Sequence, residues 1–322
     1  MSDGPSGVVA VDKPGGMTSH DVVSRARRML GTRRIGHAGT LDPMATGVLV
    51  LLVGEATKLG PYLTAHRKTY VARVAFGAAT DTLDREGKVT ATAEVPGWLR
   101  AEIAGTTDRP RITAALAAEL QRTEQVPPAY SAIQVDGRRS YDRARAGEVV
   151  DLPPRPVEAL ALRVLSGEAP EGDALPFVDV ELEVSKGYYV RSLARDLGAR
   201  LGAPAHLTAL RRTASGPFGI DRAVTLTGEA MTAGLVPLDA AAAAALPSAH
   251  LTEEGTLRAR RGQRLGPGDF TTPSPEGAAA AWFDPRGRLV AIGTRAPEES
   301  AKEAAPEGTE PTRFVIHRGF AE

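Results

Sequence analysis

A glycine-rich turn that carries a single carboxylate stands shortly before a strand-length apolar run. The turn spans residues 36–43 and includes His37 and Asp42, and the apolar run occupies Val48–Val53. An uninterrupted aliphatic run after a turn predicts a buried strand, so we expect the carboxylate at the edge of a sheet. Loops that a rigid scaffold positions commonly carry functional groups. An Asp-Pro pair is also an ordinary turn signal, so the turn alone leaves a structural and a catalytic interpretation of Asp42 open.

The composition excludes several classes of site. The 322 residues include no cysteine, which excludes disulfides, thiolate metal ligands and a cysteine nucleophile and is typical of a reducing compartment. The six histidines are dispersed without ligand spacing, so we expect no metal site. Residues 1–7 have neither a basic nor an apolar segment, and no apolar run approaches the roughly 20 residues of a membrane span. We therefore expect a cytoplasmic protein without membrane contact.

The basic residues are concentrated although the formal net charge is +0. One cluster, Arg25–Arg34, precedes the turn, and a second lies within Lys186–Arg212. A local basic patch on a neutral protein can bind phosphate with a salt-sensitive affinity. Scattered solvated arginines would give the same composition, so either cluster taken alone is consistent with a nucleic-acid partner without requiring one.

Three residues distant from the turn are candidate partners of Asp42 or of a ligand. Arg191 follows a strand in a glycine-containing turn, where a guanidinium could pair with a carboxylate and orient it. Tyr189 lies between Lys186 and Arg191 and could stack on an RNA base. Tyr70 follows two basic residues in an alternating strand, and either tyrosine could instead be a packed core residue.

The pattern along the chain predicts two domains. Thr18 offers a helix N-cap and Gly31 a C-terminal stop, and residues 111–122 have the spacing of an amphipathic helix. The polar stretch 135–152 has the character of a protruding insertion. The alanine-rich run 238–248 is expected to be a linker or helix at the domain boundary, and the short strands after it are typical of a small β-barrel.

Seven separated blocks occur in the order found in a known family. The chain closely resembles the TruB-type tRNA pseudouridine synthases over its first three-quarters and more loosely over the last quarter. One block would be weak evidence, whereas seven in register favour a catalytic interpretation of Asp42. The blocks are Asp12–Ser19, Gly36–Gly47 with Gly54–Lys58, Lys68–Tyr70, Thr80–Asp84, Pro127–Ala132, Ser185–Arg191 and His206–Arg212.

The resemblance implies an α+β pseudouridine synthase fold, with a mixed, largely antiparallel sheet flanked by helices. It implies a catalytic domain over residues 1–240 that carries an inserted thumb at about 126–152, which closes on RNA. A small PUA-like β-barrel that binds RNA would occupy residues 241–322.

The resemblance also implies that the chain isomerises uridine 55 in the T-loop of tRNA to pseudouridine by base flipping. Asp42 would be the nucleophile, since carboxylates are covalent catalysts at glycosidic centres, and Arg191 would pair with it and position it. Tyr70 would stack on the flipped uracil and handle the proton that leaves its C5. Attack on the base and attack on the sugar carbon both stay open.

Five further residues are expected to contact the substrate. By the resemblance, Tyr189 and Leu210 line the pocket and His37 fills the space that the flipped nucleotide leaves; Lys13 and Lys186 are expected to bind substrate. An isomerisation needs no cofactor, and the expected partner is the T-arm of tRNA, bound by a monomer. Two alternatives are the same chemistry on another RNA and a non-catalytic tRNA-binding or folding module, although binding alone has no need for a carboxylate facing RNA phosphate.

Overall fold

The chain has an α+β architecture built on one large sheet. The computed structural model describes residues 4–106, 108–131, 133–135, 137–148, 150–297 and 314–320. Its strands are β1 (Gly7–Lys13), β2 (Ile35–His37), β3 (Thr46–Val53), β4 (Lys68–Phe76), β5 (Ala78–Thr80), β6 (Val89–Thr92), β7 (Glu124–Gln125), β8 (Gln134–Val135), β9 (Arg138–Arg139), β10 (Arg155–Pro156), β11 (Ala159–Glu168), β12 (Phe177–Val184), β13 (Ala205–Ser215), β14 (Phe218–Gly219), β15 (Val236–Pro237), β16 (Ser248–Leu251), β17 (Phe270–Thr272), β18 (Ala279–Phe283), β19 (Leu289–Arg295) and β20 (Phe314–Gly319). Its α-helices are α1 (Ser19–Met29), α2 (Gly60–Ala65), α3 (Gly97–Ala104), α4 (Pro110–Leu120), α5 (Ser140–Arg145), α6 (Val190–Leu201), α7 (Gly228–Ala233), α8 (Leu238–Ala245) and α9 (Glu253–Arg260).

The large sheet has the order β11-β12-β4-β13-β3-β1-β15, with β2 on β3 and β14 on β13. The β13–β3 pair is parallel, with Arg212 opposite Gly47, and the other pairings described in this sheet are antiparallel. The prediction of a mixed, largely antiparallel sheet is therefore confirmed. The predicted strand Val48–Val53 is the greater part of β3, and it lies near the middle of the sheet.

The strand β3 is buried on both faces, which explains its unbroken apolar sequence. Helices α1, α3, α4 and α6 cover one face and form the first core, whereas α2 and α8 cover the other and form the second core. Consecutive side chains of a strand point to opposite faces. The alternate residues Leu49, Leu51 and Val53 belong to the first core, and Val48, Val50 and Leu52 belong to the second.

Helix α1 begins and ends at the predicted residues. The Asp21 amide donates to Thr18 Oγ1 (3.0 Å), and the Thr18 amide donates to Asp21 Oδ2 (2.9 Å), which is a reciprocal capping box. Gly31 follows the last turn with φ +64°, a left-handed conformation that favours glycine. This cap fixes where the first helical residue, Ser19, meets the turn before β3.

The alanine-rich run forms helix α8 and packs between two sheets. Ala241, Ala242 and Ala245 are buried in the second core, which continues into the C-terminal residues Phe283 and Phe320. The C-terminal strands pair in the order β17-β16-β18-β19-β20. Closure of this sheet into a PUA-like barrel and a domain boundary at residue 240 stay predictions, and residues 298–313 of that region lie outside the described residues.

The predicted insertion is connected to the rest of the protein by one antiparallel pair of short strands. Strand β7 before the segment pairs antiparallel with β10 after it, with Gln125 opposite Arg155. Between them lie the hairpin β8–β9 and helix α5, where Glu148 accepts hydrogen bonds from Arg138 (2.9 Å) and Arg143 (2.7 Å). Ala132 of the sequence block that opens this segment lies outside the described residues, and the action of the segment as a thumb stays a prediction.

Candidate active site

Asp42 and Arg191, 149 residues apart in sequence, form a two-pronged ion pair. Arg191 Nε lies 2.9 Å from Asp42 Oδ2, and Arg191 Nη2 lies 3.1 Å from Asp42 Oδ1. This fork geometry fixes the plane of the carboxylate as well as its position. The Arg191 side chain is 7% exposed and the Asp42 side chain 31% exposed. The carboxylate is therefore held from the protein side and open toward solvent.

Arg191 has further partners that the sequence did not indicate. Its Nη1 donates to the Thr82 carbonyl and its Nη2 to the Tyr130 carbonyl, both at 2.9 Å. Its Nε also lies 3.8 Å from Oδ2 of the buried Asp84. Two carboxylates thus share one guanidinium, and sequence reasoning missed the second, although it lies in the matched block Thr80–Asp84.

The loop that presents Asp84 holds a strained backbone. Leu83 has φ +62°, a left-handed conformation that is uncommon for a residue other than glycine. The Leu207 amide donates to the Leu83 carbonyl (3.1 Å), and the Arg85 amide donates to the Leu207 carbonyl (2.8 Å). These bonds to β13 hold Asp84 and the Thr82 carbonyl beside Arg191.

Lys13, which we expected to bind substrate, lies beneath the turn instead. Its side chain is fully buried, and its Nζ donates to the carbonyls of Pro14 (2.9 Å), Met17 (2.6 Å) and Pro43 (3.2 Å). Burial lowers the pKa of the Lys13 ammonium to about 8. Since Pro43 directly follows Asp42, Lys13 fixes the backbone of the turn.

Two more buried side chains hold the turn from other directions. Arg212 is 1% exposed and donates to the carbonyls of Val48 (2.6 Å), Gly39 (3.0 Å) and Thr40 (3.4 Å). The Ser19 hydroxyl accepts from the Leu41 amide at 2.8 Å and lies 3.1 Å from the Leu41 carbonyl. Backbone groups on both sides of Asp42 are therefore tied to α1, β1 and β13, which restricts the carboxylate before any ligand binds.

Tyr70 and Leu210 lie on the sheet face that α6 covers. Tyr70 on β4 is opposite Arg212 on β13, and Leu210 is opposite Ala72, the next residue on the same face of β4. Tyr70 is half-buried against the first core, and Leu210 is 6% exposed. The core that receives these two side chains also receives α6, the helix that carries Arg191.

Tyr189 and His37 are both partly buried. Tyr189 is the N-cap residue of α6, and burial raises the pKa of its hydroxyl, which also interacts electrostatically with Arg191 and Asp42. His37 ends β2 opposite Leu51. Its Nδ1 is buried and has no hydrogen-bond partner among the residues that the structure describes, and burial lowers the pKa of the ring, which favours the neutral form.

The remaining predicted contact residue lies at the surface. Lys186 is exposed in the turn between β12 and α6. Among the residues that the structure describes, no three histidine, aspartate or glutamate side chains are grouped to hold a metal ion. In the same described residues, no helix has both the length and the apolarity that a membrane crossing requires.

Comparisons with known proteins show the family to which the chain belongs. Residues 27–190 match the family model of the TruB family pseudouridylate synthase N-terminal domain, and residues 191–239 match that of the tRNA pseudouridylate synthase B C-terminal domain. The tRNA pseudouridine synthase B of Leifsonia xyli is 46% identical over 287 residues, which cover 89% of this chain and 92% of the relative. That of Thermobifida fusca is 45% identical over 288 residues, covering 89% and 93%.

The fold is also similar to that of solved structures. A chain in a crystal structure of a Cbf5-Nop10-Gar1 complex superposes with a TM-score of 0.70 at 23% identity, covering 98% of this chain and 85% of that one. A chain in a structure of an H/ACA RNP bound to a substrate RNA gives a TM-score of 0.67 at 23% identity, with the same coverage. At this identity, the likeness establishes the fold alone.

Proposed function

The chain belongs to the TruB family of pseudouridylate synthases, and on that premise we propose that it isomerises uridine 55 in the T-loop of tRNA to pseudouridine. The relatives that match over most of their length are named tRNA pseudouridine synthase B, and this name supports tRNA as the substrate. The observation that carries the proposal is the Asp42–Arg191 pair, with contacts of 2.9 and 3.1 Å and a carboxylate open on one side.

Asp42 is the proposed nucleophile. Its carboxylate forms a covalent adduct with the target uridine, the bond between C1′ and N1 breaks, and the released uracil rotates. A bond between C1′ and C5 then forms, the bond to Asp42 breaks and returns the free carboxylate, C5 loses its proton, and N1 takes up a proton, so that the product is an isomer of the substrate. Because Arg191 engages both carboxylate oxygens, it fixes the direction of attack, which is how a held geometry lowers a barrier.

The neighbouring side chains take the proposed roles of a base-flipping site. Tyr70 stacks on the uracil and handles the proton from C5, while Tyr189 and Leu210 line the pocket. His37, partly buried with its neutral form favoured, fills the space that the flipped base leaves, which offsets a few kcal/mol of lost stacking. Lys186 is exposed and available to a phosphate, unlike the buried Lys13.

The decisive experiment measures tritium release from tRNA labelled at uridine C5. Asp42→Asn preserves the size of the side chain and removes the nucleophile, so we expect release to fall at least about 1,000-fold with tRNA binding retained. Asp221→Asn is the matched control, because Asp221 is 76% exposed and far along the chain from these groups. Equal release by wild type and Asp42→Asn would contradict the nucleophile assignment.

The same assay separates the alternatives. Replacement of uridine 55 by cytidine in the labelled tRNA should abolish release, and persistent release would mean that another uridine is the target. A wild-type protein that binds tRNA and releases no tritium from it would refute the catalytic assignment and favour a binding module.

A further inference from the structure

The residue that precedes the inserted segment is joined to the start of α6 by a double hydrogen bond. Gln125 ends β7 and is 1% exposed. Its Oε1 accepts from the Tyr189 amide at 2.8 Å, and its Nε2 donates to the Tyr189 carbonyl at 3.2 Å. Since Arg191 lies two residues after Tyr189, this amide fixes the backbone from which Arg191 extends.

The rest of the segment root contacts the same helical turns. The Ser192 hydroxyl donates to the Val126 carbonyl at 2.9 Å, and Arg195 Nη2 donates to the same oxygen at 3.1 Å. Arg191 Nη2, which also holds Asp42, donates to the Tyr130 carbonyl at 2.9 Å. A shift of residues 125–130 would therefore move the Tyr130 carbonyl that orients the Arg191 guanidinium and the Val126 carbonyl that holds the first turns of α6.

The chemistry of the contact requires an amide at position 125. Tyr189 is extended, with φ −106° and ψ 111°, so its N–H and C=O present a donor and an acceptor as a strand residue does. Glutamine supplies one acceptor and one donor, whereas glutamate supplies no donor and methionine supplies neither. Loss of the acceptor at position 125 takes away the partner of the Tyr189 amide, whereas the Tyr189 carbonyl keeps a second bond from the Leu193 amide at 3.2 Å.

We propose that Gln125 is a positioning residue, which locks the start of α6 to the root of the inserted segment so that Arg191 holds Asp42 in its reactive orientation. This inference rests on the proposed function. In this proposal, the position of the inserted segment affects the orientation of the Asp42 carboxylate through contacts that link Gln125, Tyr189 and Arg191.

The test compares single-turnover tritium release by three variants. Gln125→Met keeps the length of the side chain and loses both bonds, and we expect its rate constant to fall between about 10-fold and 100-fold with unchanged tRNA affinity, as for a small misplacement of a catalytic group. Gln125→Glu keeps the acceptor for the Tyr189 amide, so its rate constant should lie between those of wild type and Gln125→Met. Gln121→Met, an exposed change at the end of α4, is the matched control and should match wild type.

A double-mutant cycle with Arg191→Lys separates positioning from a general loss of stability. If Gln125 acts through Arg191, the rate loss from Gln125→Met should largely disappear in the Arg191→Lys background. The same fold-loss in both backgrounds, or a folded Gln125→Met that reacts at the wild-type rate, would overturn the inference. If Gln125→Met does not fold, Gln125→Glu decides the question by the same cycle. A wild type that releases no tritium refutes the proposed function, and this inference with it.

Discussion

The adjacent residues Arg211 and Arg212 on β13 differ in burial and in their hydrogen-bond partners. Replacing each of them tests whether buried arginine–carbonyl bonds stabilise the turn. Arg212 is 1% exposed and donates to three carbonyls, two of them in the turn before β3. Arg211 points to the other side, where it pairs with Asp12 at 2.7 and 3.1 Å and both side chains are partly exposed, at 41% and 35%. Replacing each with methionine removes the same charge from neighbouring positions.

The two variants should differ several-fold in their effect on the free energy of unfolding. Each lost bond from a charged donor costs about 1.5–3 kcal/mol, and Arg212 makes two bonds of 3.0 Å or less. Because the buried methionine side chain offsets part of this loss, we expect Arg212→Met to lower the free energy of unfolding by about 3–5 kcal/mol. An exposed pair contributes about 0–1 kcal/mol, which bounds Arg211→Met.

Thermal unfolding followed by circular dichroism measures the difference. For a domain of this size about 1 kcal/mol shifts the midpoint by roughly 2–4 °C, so Arg212→Met should unfold about 10 °C below wild type and Arg211→Met within a few degrees of it. Arg212→Lys should resemble Arg212→Met, since one ammonium cannot replace the fork that reaches Val48 and Gly39. Equal shifts for the two neighbouring arginines would refute the reasoning that burial and carbonyl bonding decide the effect.

Two further predictions concern the turn and the residues beside it. Gly47→Ala should lower the free energy of unfolding by more than about 3 kcal/mol, because Gly47 has φ +98° and an added Cβ would lie 2.2 Å from the Arg212 carbonyl oxygen. Gly36→Ala is the control, because an added Cβ there meets open space, and its free energy of unfolding in urea should stay within about 0.5 kcal/mol of wild type. The pKa of Lys13 is about 8 in the folded protein against 10.5 for the ordinary side chain, so the unfolded chain binds more protons between these values. The stability of wild type relative to Lys13→Met should therefore rise with pH across that window and be constant below it, and urea unfolding at several pH values that gives a flat difference would contradict this.

Local signals predicted the elements correctly. The run Val48–Val53 predicted a buried strand, because six consecutive aliphatic residues suit a strand covered on both faces. Thr18 and Gly31 marked the limits of α1 because capping depends on a few adjacent residues. The turn after a strand made Arg191 one candidate partner of Asp42, and the family resemblance singled it out, since nothing local links residues so far apart in sequence.

The burial of charged side chains was not predictable from the sequence. Lys13 and Arg212 were counted with the groups that could contact RNA, whereas both lie inside the protein on backbone carbonyls. A lysine or arginine is usually exposed, and only the tertiary fold shows which buried backbone carbonyls need a side-chain donor. Asp84 and Gln125 were missed for the same reason, because their roles depend on Arg191 and Tyr189 being brought beside them.

The groups that support the turn and the proposed nucleophile, Asp42, differ in their exposure. Neither Lys13 nor Arg212 can neutralise an RNA phosphate without releasing the backbone that carries Asp42, because their donors already serve the carbonyls of that backbone. Arg191 is bound in the same way, since its Nη1 donates to the Thr82 carbonyl and its Nη2 donates to the Tyr130 carbonyl as well as to Asp42. These three cations therefore contribute orientation, whereas the Asp42 carboxylate, 31% exposed, can reach a ligand. For the proposed tRNA substrate, positive charge toward the phosphates would therefore come from exposed residues such as Lys186 and not from the three cations that hold the turn.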